Sequence, residues 1–411
     1  MDSSRPGAGE RPGAGERPLR VLLAPDSFKG SLSSVEVARA LAEGWTRARP
    51  GDVLVSAPLA DGGEGTLASI AETGGWEWQE CLAHDPLGRP LTARWLRSTD
   101  GTRAALELAE ASGLSRLADG EPRAPLAATT DGTGEILRAI LDAGVRDVVM
   151  GVGGSATTDG GSGILRALGA DYATDSGSPL PGPVPNISAV DLAELDPRIA
   201  QLRMRVACDV TNPLLGDLGA AAVYAPQKGA WPDDVDALDA WLTRFADLLE
   251  EAAGTKARNT PGAGAAGGAS FALLCLAPRM ESFALIPGVD LVMQSTGFDE
   301  KLAGADLVVT GEGAIDKQTA FGKTALGVAR RAAAAGIPCV AVGGTVTADG
   351  VAVMAREGVA VMPVPDRPVS LQDAMANAAP LVCQAGERLA RLVALGMRVG
   401  AGEESESTVS A

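Results

Sequence analysis

The sequence predicts an α/β fold in which parallel sheets are covered by helices. Short apolar runs ending in Asp-containing polar loops alternate with stretches of helical period at both ends of the chain. At 411 residues the chain is too long for one compact core, so two domains are expected. Hydrophobic residues make up 46%, mostly Ala, Val and Leu, enough to bury cores although aromatics are only 3%.

The elements follow in order. The first eighteen residues carry RPGAGE twice, then RP. Rich in Pro and Gly with alternating charge, they cannot bury a core and are expected to be disordered. RVLLAPD is a buried strand. Ser33 and Glu36 form a capping box, and Val37, Ala38, Leu41, Ala42 and Trp45 recur at helical spacing after it. VLVSAPLA (Val53–Ala60) reads as a second strand, followed by DGGEG and another helical stretch. In the middle, LTARWLR and RAALELA read as a strand pair. VRDVVMGVG is a strand that leads into GVGGSATTDGGSGI (Gly151–Ile164), LRMRVACD is another strand, and PGAGAAGGAS is a second glycine-rich connection. The last third repeats the rhythm: DLVVTG strand, KTALGVARRAAAAG helix, PCVAVGG strand, GVAVMAREG helix, VAVMPV strand. The tail AGEESESTVSA reads as disordered. This order allows the outer parts to fold together with the middle inserted between them.

The formal charge of −17 would repel a duplex or an anionic membrane, and no basic run offsets it. A small anion can still bind through local donors or a metal ion. No apolar run spans a bilayer and no apolar h-region opens the chain, so a soluble cytoplasmic protein is expected. The five cysteines form no CxxC and read as reduced, mostly buried thiols. The single histidine, His84, reads as a surface turn residue. Acid–base work then falls to carboxylates or lysines.

In open α/β sheets, ligands bind beyond the carboxyl ends of strands. Five polar clusters stand at such ends: Asp26 to Lys29, Asp61-Gly62-Gly63-Glu64-Gly65, the Gly151–Ile164 stretch, Asp209 to Asn212, and Glu312 to Asp316. Carboxylates alone would repel an anion. Bare glycine backbone can turn N–H groups inward as an anion cradle, which fits Gly153-Gly154-Ser155 and Gly160-Gly161 ahead of a helix around Gly163 to Leu168. Mg²⁺ on one or two carboxylates would meet phosphate oxygens. Cradle and cation together are what phosphoryl transfer requires. Asp209, Lys29 and Asp26 are the catalytic candidates, and Glu312 and Asp316 the metal candidates. Asp61, Gly62, Gly63, Glu64, Gly153, Gly154, Ser155, Thr157, Asp159, Asn212 and Lys228 are the substrate and phosphate candidates.

Blander readings stand beside these. Asp26 could cap a turn, Asp159 could be an Asx-turn residue, and Lys29 and Lys228 could be surface lysines; in a functional reading Asp159 is either a metal-side acid or the orienter of its loop. Glu107 and Glu110 read as a solvated face. GxxxxGK[ST] fails because Lys317 stands where its first Gly belongs. GxGxxG at Gly262, Gly264 and Gly267 has no convincing strand before it. Gly151, Gly153 and Ala156 fit GxGxxA after a real strand, which leaves a nicotinamide oxidoreductase open; Asp175 is near the distance of a ribose acid but sits in the loop-like DYATDSGSP. A non-catalytic sugar-acid sensor is the third reading.

APDSFKGSLSS, PLADGGEGT, GVGGSATTDGGSG, RVACDVTNPLLG, AAVYAPQKGA, PGAGAAGG and VVTGEGAIDKQTAFGK, in this order over residues 19 to 395, resemble the bacterial glycerate kinases of the glyoxylate and sugar-acid pathways. The resemblance implies ATP-dependent phosphorylation of D-glycerate with Mg²⁺, characteristically giving 2-phosphoglycerate. It also implies a Rossmann-like domain from residues 19–70 and 285–395, with a second α/β domain over 71–284 and tails at 1–18 and 396–411. A homo-oligomer is compatible with it. Ala314 departs from the GEG[KR] pattern of similar proteins, and Asp131 in TTDGTGE replaces a larger residue.

Overall fold

The computed structural model describes residues 17–63, 65–118, 120–121, 123–175, 182–317, 319 and 324–407, the last eight as backbone only. The RPGAGE repeat up to residue 16 and Glu64 lie outside the described residues. Strands β1 (Arg20–Pro25) and β2 (Val53–Ser56) open the chain. The middle contributes β3 (Trp76–His84), β4 (Pro90–Ser98), β5 (Arg103–Glu107), β6 (Asp147–Gly151), the hairpin β7 (Asp171–Thr174) and β8 (Ile187–Asp191), then β9 (Arg203–Ala207) and β10 (Ser282–Ile286). The last third supplies β11 (Leu307–Ile315), β12 (Cys339–Val346) and β13 (Ala360–Pro363).

These strands build two large sheets. One is all parallel, in the order β13-β12-β11-β1-β2, so the two chain ends share it. The other, β10-β9-β6-β5-β4-β3, is parallel except for the antiparallel meander of β3, β4 and β5. The α/β class and its parallel sheets are therefore present. In the first sheet, β1 leads to β2 on one side and β11 leads to β12 on the other. The crevice beyond the ends of β1 and β11 is thus a topological switch point, the place where open sheets bind ligands.

Alternation along β1 explains the core. Leu22 and Ala24 face a cluster with Val308, Ala325 and Phe298, while Val21 and Leu23 face Leu41, Trp45 and Leu381. The first cluster also takes in Leu96, Ala105, Val149 and Ala207 of the second sheet, so one apolar core joins the two sheets. The helix Ser34–Ala48 starts at the expected box: Ser33 Oγ accepts from Glu36 N (3.3 Å), and Ser33 N donates to Glu36 Oε2 (2.8 Å). It packs on the helix Ala378–Ser407 so closely that a Cβ on Gly44 would lie 1.8 Å from the Cys383 carbonyl oxygen. Any side chain at 44 would push these helices apart.

Several expectations change. β2 ends at Ser56, because Pro58 has no N–H for a ladder, although Leu59 N still donates to Pro25 O. The C-terminal helix runs to Ser407, so the tail expected to be disordered from 396 is helical that far. Glu107 and Glu110 are not on a solvated face. They are 5% and 9% exposed: Glu107 ends β5, an inner strand, and Glu110 stands on the short buried helix Ala109–Ser112 that follows it. Glu107 Oε1 accepts from Leu67 N (2.6 Å), and Glu110 is held by Arg94 and Arg116. His84 closes β3 on the surface, bound to Glu135, rather than lying in a turn. The cysteines are free thiols, with Cys81 and Cys208 only half-buried. Among the described residues, no helix is long and apolar enough to cross a membrane.

Candidate active site

Two cavities adjoin at the ends of the strands. The first, about 750 Å³, opens where the loops after β1 and β2 meet those after β6 and β9; Gly153, Ser155, Asp209, Tyr224 and Lys228 line it. The second, about 670 Å³, lies over the switch point and is lined at its polar end by Asp26, Glu312, Thr324 and Thr345. Ser27, Lys29, Ser31 and Asp61 belong to both, so one wall separates the two spaces.

Glycine makes this junction possible. A Cβ on Gly153 would lie 2.4 Å from Gly63 Cα, and one on Gly62 would lie 2.3 Å from Ala207 Cβ, with Gly62 also at φ +83°. Gly153 N donates to Gly62 O at 3.3 Å. The DGG turn after β2 is thus pressed against the ends of β6 and β9, and no residue with a side chain would allow it.

Two acids of the site feel the charge of Asp61, and a third, Glu312, lines the same cavity as Asp26. Asp26 follows β1; its carboxylate accepts from Ser27 N (2.6 Å) and Thr324 Oγ1 (2.5 Å). Burial pushes its pKa up to about 6, opposed by the Thr324 hydroxyl and reinforced by Asp61. Asp209 follows β9 and accepts from Gly288 N (3.0 Å). Removal of water by the cleft walls pushes it to about 6 as well, with Gly288 opposing and Asp61 and Asp290 adding. Its edge remains open to solvent. Glu312 is 5% exposed at the end region of β11, and its Oε1 accepts from Thr319 Oγ1 (2.7 Å).

Among the described residues, no three of His, Cys, Asp and Glu form a ready metal cage. Mg²⁺ does not need one, since it takes one or two carboxylates and completes its octahedron with water and phosphate oxygens. Asp26, Asp61 and Glu312 line the second cavity as hard oxygen donors, and a cation would relieve the repulsion that Asp61 exerts on Asp26, so the residues present fit Mg²⁺. Asp316 lines neither cavity; its N–H donates to Thr319 Oγ1.

The loop after β6 divides in two. Gly153, Gly154 and Ser155 line the first cavity, whereas Thr157 and Asp159 are fully buried. Asp159 accepts from Thr130 N (2.8 Å), Thr130 Oγ1 (2.7 Å), Gly161 N (3.1 Å) and Gly163 N (3.1 Å). Of its two functional readings, the orienter of the loop is the one the geometry supports. Burial still pushes its pKa up against these donors. The expected cradle at Gly160-Gly161 is therefore filled by the chain's own carboxylate. Lys228 is not a surface lysine. It is 2% exposed, and its Nζ donates to Ser155 Oγ (2.8 Å) and Thr157 O (2.5 Å). Burial pushes its pKa down to about 7, with the charge of Asp159 opposing. Lys29 is exposed on the shared wall.

Asn212 lines neither cavity, but its Oδ1 accepts from the Tyr224 hydroxyl (2.7 Å), which does. Tyr224 and Thr324 were missed in the sequence. Each stands inside a motif that was noticed, AAVYAPQKGA and the incomplete GK[ST], but neither spacing shows what its hydroxyl meets. Cys208 also lines the first cavity. Ala266 lines it at φ +53°, a strained position for a residue with a Cβ. The GxGxxA reading fails physically. A pyrophosphate would need the N-terminus of the helix Ser162–Ala167, and Asp159 already occupies it.

Comparison with known proteins shows the family and the fold. A model of the glycerate kinase family matches residues 21–394. The chain is 41% identical over 384 residues to a glycerate kinase of Bacillus subtilis (strain 168), covering 93% of this chain and 98% of that one. It is 39% identical over 386 residues to a glycerate 2-kinase of Escherichia coli (strain K12), covering 92% and 99%. A crystal structure of a candidate glycerate kinase 2 from Salmonella typhimurium LT2 superposes with a TM-score of 0.79 at 37% identity, covering 93% of this chain and 100% of that one.

Proposed function

The chain belongs to the glycerate kinase family, and we propose that it transfers the γ-phosphoryl group of ATP to the C2 hydroxyl of D-glycerate in the cytoplasm. The observation that carries this reading is the pair of adjoining cavities with one shared wall of Ser27, Lys29, Ser31 and Asp61. Phosphoryl transfer depends mainly on holding two substrates in line and on stabilising charge, and two spaces divided by one wall serve that end.

In this reading D-glycerate occupies the first cavity. Lys29 meets its carboxylate, while Ser155 and Tyr224 take its hydroxyl edge. Asp209 is the base for the C2 hydroxyl, because a carboxylate with a pKa near 6 is ionised at neutral pH yet basic enough to take a proton. The buried Lys228 positions Ser155 rather than touching phosphate. Asp26 and Glu312 would hold Mg²⁺, which supplies charge neutralisation at the phosphate oxygens when bound. The choice of C2 rests on the name glycerate 2-kinase borne by the Escherichia coli relative.

The test is direct. The purified protein should release ADP from ATP, Mg²⁺ and D-glycerate, and EDTA should abolish this. Enolase should consume the product with no mutase present. A product that enolase uses only after a mutase is added would mean transfer to C3. Full turnover in EDTA would remove the metal.

A further inference from the structure

The second cavity has two unlike halves. Its floor, at the ends of β1, β11 and β12, carries Asp26 and Glu312. Its far side is apolar: Val364 and Pro365 after β13, Leu371 and Met375 on the short helix Leu371–Ala376, and Ala378 and Leu381 at the start of the C-terminal helix. Val364 and Leu381 are buried and form the back. Leu371 and Met375 are 72% and 38% exposed, so large apolar side chains border an open space. Such surface in a cleft marks a ligand. The rest of its lining includes two glycines, Gly313 and Gly344, whose backbones pack together so closely that a Cβ on Gly344 would lie 2.7 Å from the Gly313 carbonyl oxygen.

D-glycerate has three carbons, a carboxylate and two hydroxyls, and gains nothing from an apolar wall. A nucleobase has flat apolar faces and polar edges. It would stack against the apolar side and turn its edges to the backbone at the two glycines. Met375 also reaches the shared wall, since a Cβ on Gly30 would lie 3.0 Å from its Cε. We propose that the slot between Met375, Leu371 and the Gly313–Gly344 backbone is the nucleoside subsite of the phosphoryl donor, with its phosphates running over Asp26 and Glu312 toward Asp61. This rests on the kinase reading and adds which cavity takes which substrate.

Two variants test it: Met375→Trp, which fills the slot, and Leu371→Asp, which places a charge in it at an exposed position. Each is accepted for measurement if its melting temperature matches the wild type. Fluorescence titration with N-methylanthraniloyl-ADP, without glycerate, reads the site directly. Kd should rise about tenfold or more in either folded variant, while KM for D-glycerate stays within about twofold. Unchanged Kd in the folded variants, or a rise in glycerate KM alone, would overturn the assignment, as would a wild-type protein that binds no nucleotide analogue. If the wild type binds the analogue and the variants lose it, but glycerate yields no ADP, the slot stands and the substrate reading falls.

Discussion

The glycine-rich loop after β6 and the wall between the two cavities are both made of small residues around acids, and they put those acids to opposite uses. Asp159 is sealed in, and backbone and hydroxyl donors fill its oxygens. Asp26, Asp61 and Asp209 stand where water or substrate reaches, and the charge of Asp61 adds to the burial that raises the pKa of Asp26 and of Asp209. The difference teaches that a carboxylate is available for chemistry when the fold brings other carboxylates to it and leaves an oxygen uncovered. It is structural when the fold spends its oxygens on N–H groups.

The comparison breaks first at the open acids. Asp209→Asn and Glu312→Gln should each lower kcat/KM by about 10²-fold or more, with little change in melting temperature. Wild-type turnover in either would remove that residue from the site, and a collapse of thermal stability would move it to the class of Asp159. The converse substitution, Asp159→Ala, should cost about 3 kcal/mol of stability, because it strands buried donors. Its kcat at saturating substrate should fall less than about tenfold. Denaturant unfolding beside turnover separates the two; full stability with lost turnover would make Asp159 a reacting group.

The pH dependence sharpens the same contrast. Asp26 and Asp209 move from 3.8 to about 6 in the folded protein. Activity that needs them ionised should therefore fall as pH drops through 6, and log kcat/KM should approach a slope of two protons. Asp209→Asn should reduce that slope to one. Stability runs the other way: the folded state holds these protons more tightly than the unfolded chain, so both acids favour folding below pH 4 and lose that contribution as pH rises through 6. A slope unchanged in Asp209→Asn would show that Asp209 is not one of the titrating groups.

The smallest effect is expected at the N-terminus. Deleting residues 1–16 should leave turnover and melting temperature unchanged within error, because RPGAGE offers no apolar side chain larger than Ala or Pro to dock. Extending the cut through Arg17, which pairs with Asp306 on the surface, should cost no more than about 1 kcal/mol. A larger loss in either would show that the tail packs on the fold.

What the sequence determined by itself was the set of elements and the strand-end positions. Apolar runs, the Ser33–Glu36 box and the alternation of strand and helix are local signals, and short-range physics decides them. The clusters at Asp26, Asp61, Asp209 and Glu312 were legible for the same reason, since in an α/β sheet a strand end is a known address. Only the tertiary structure decided which neighbours each side chain meets. Asp159 and Lys228 looked like the other charged candidates until the fold buried both, and Glu107 looked solvated until β5 became an inner strand. Gly153 looked like part of an anion cradle and Gly62 and Gly63 like substrate contacts, yet they are first of all the residues that let two loops, about ninety positions apart, touch without a side chain between them. Burial and hydrogen-bond partners are set by contacts between distant segments, and spacing along one chain does not contain them.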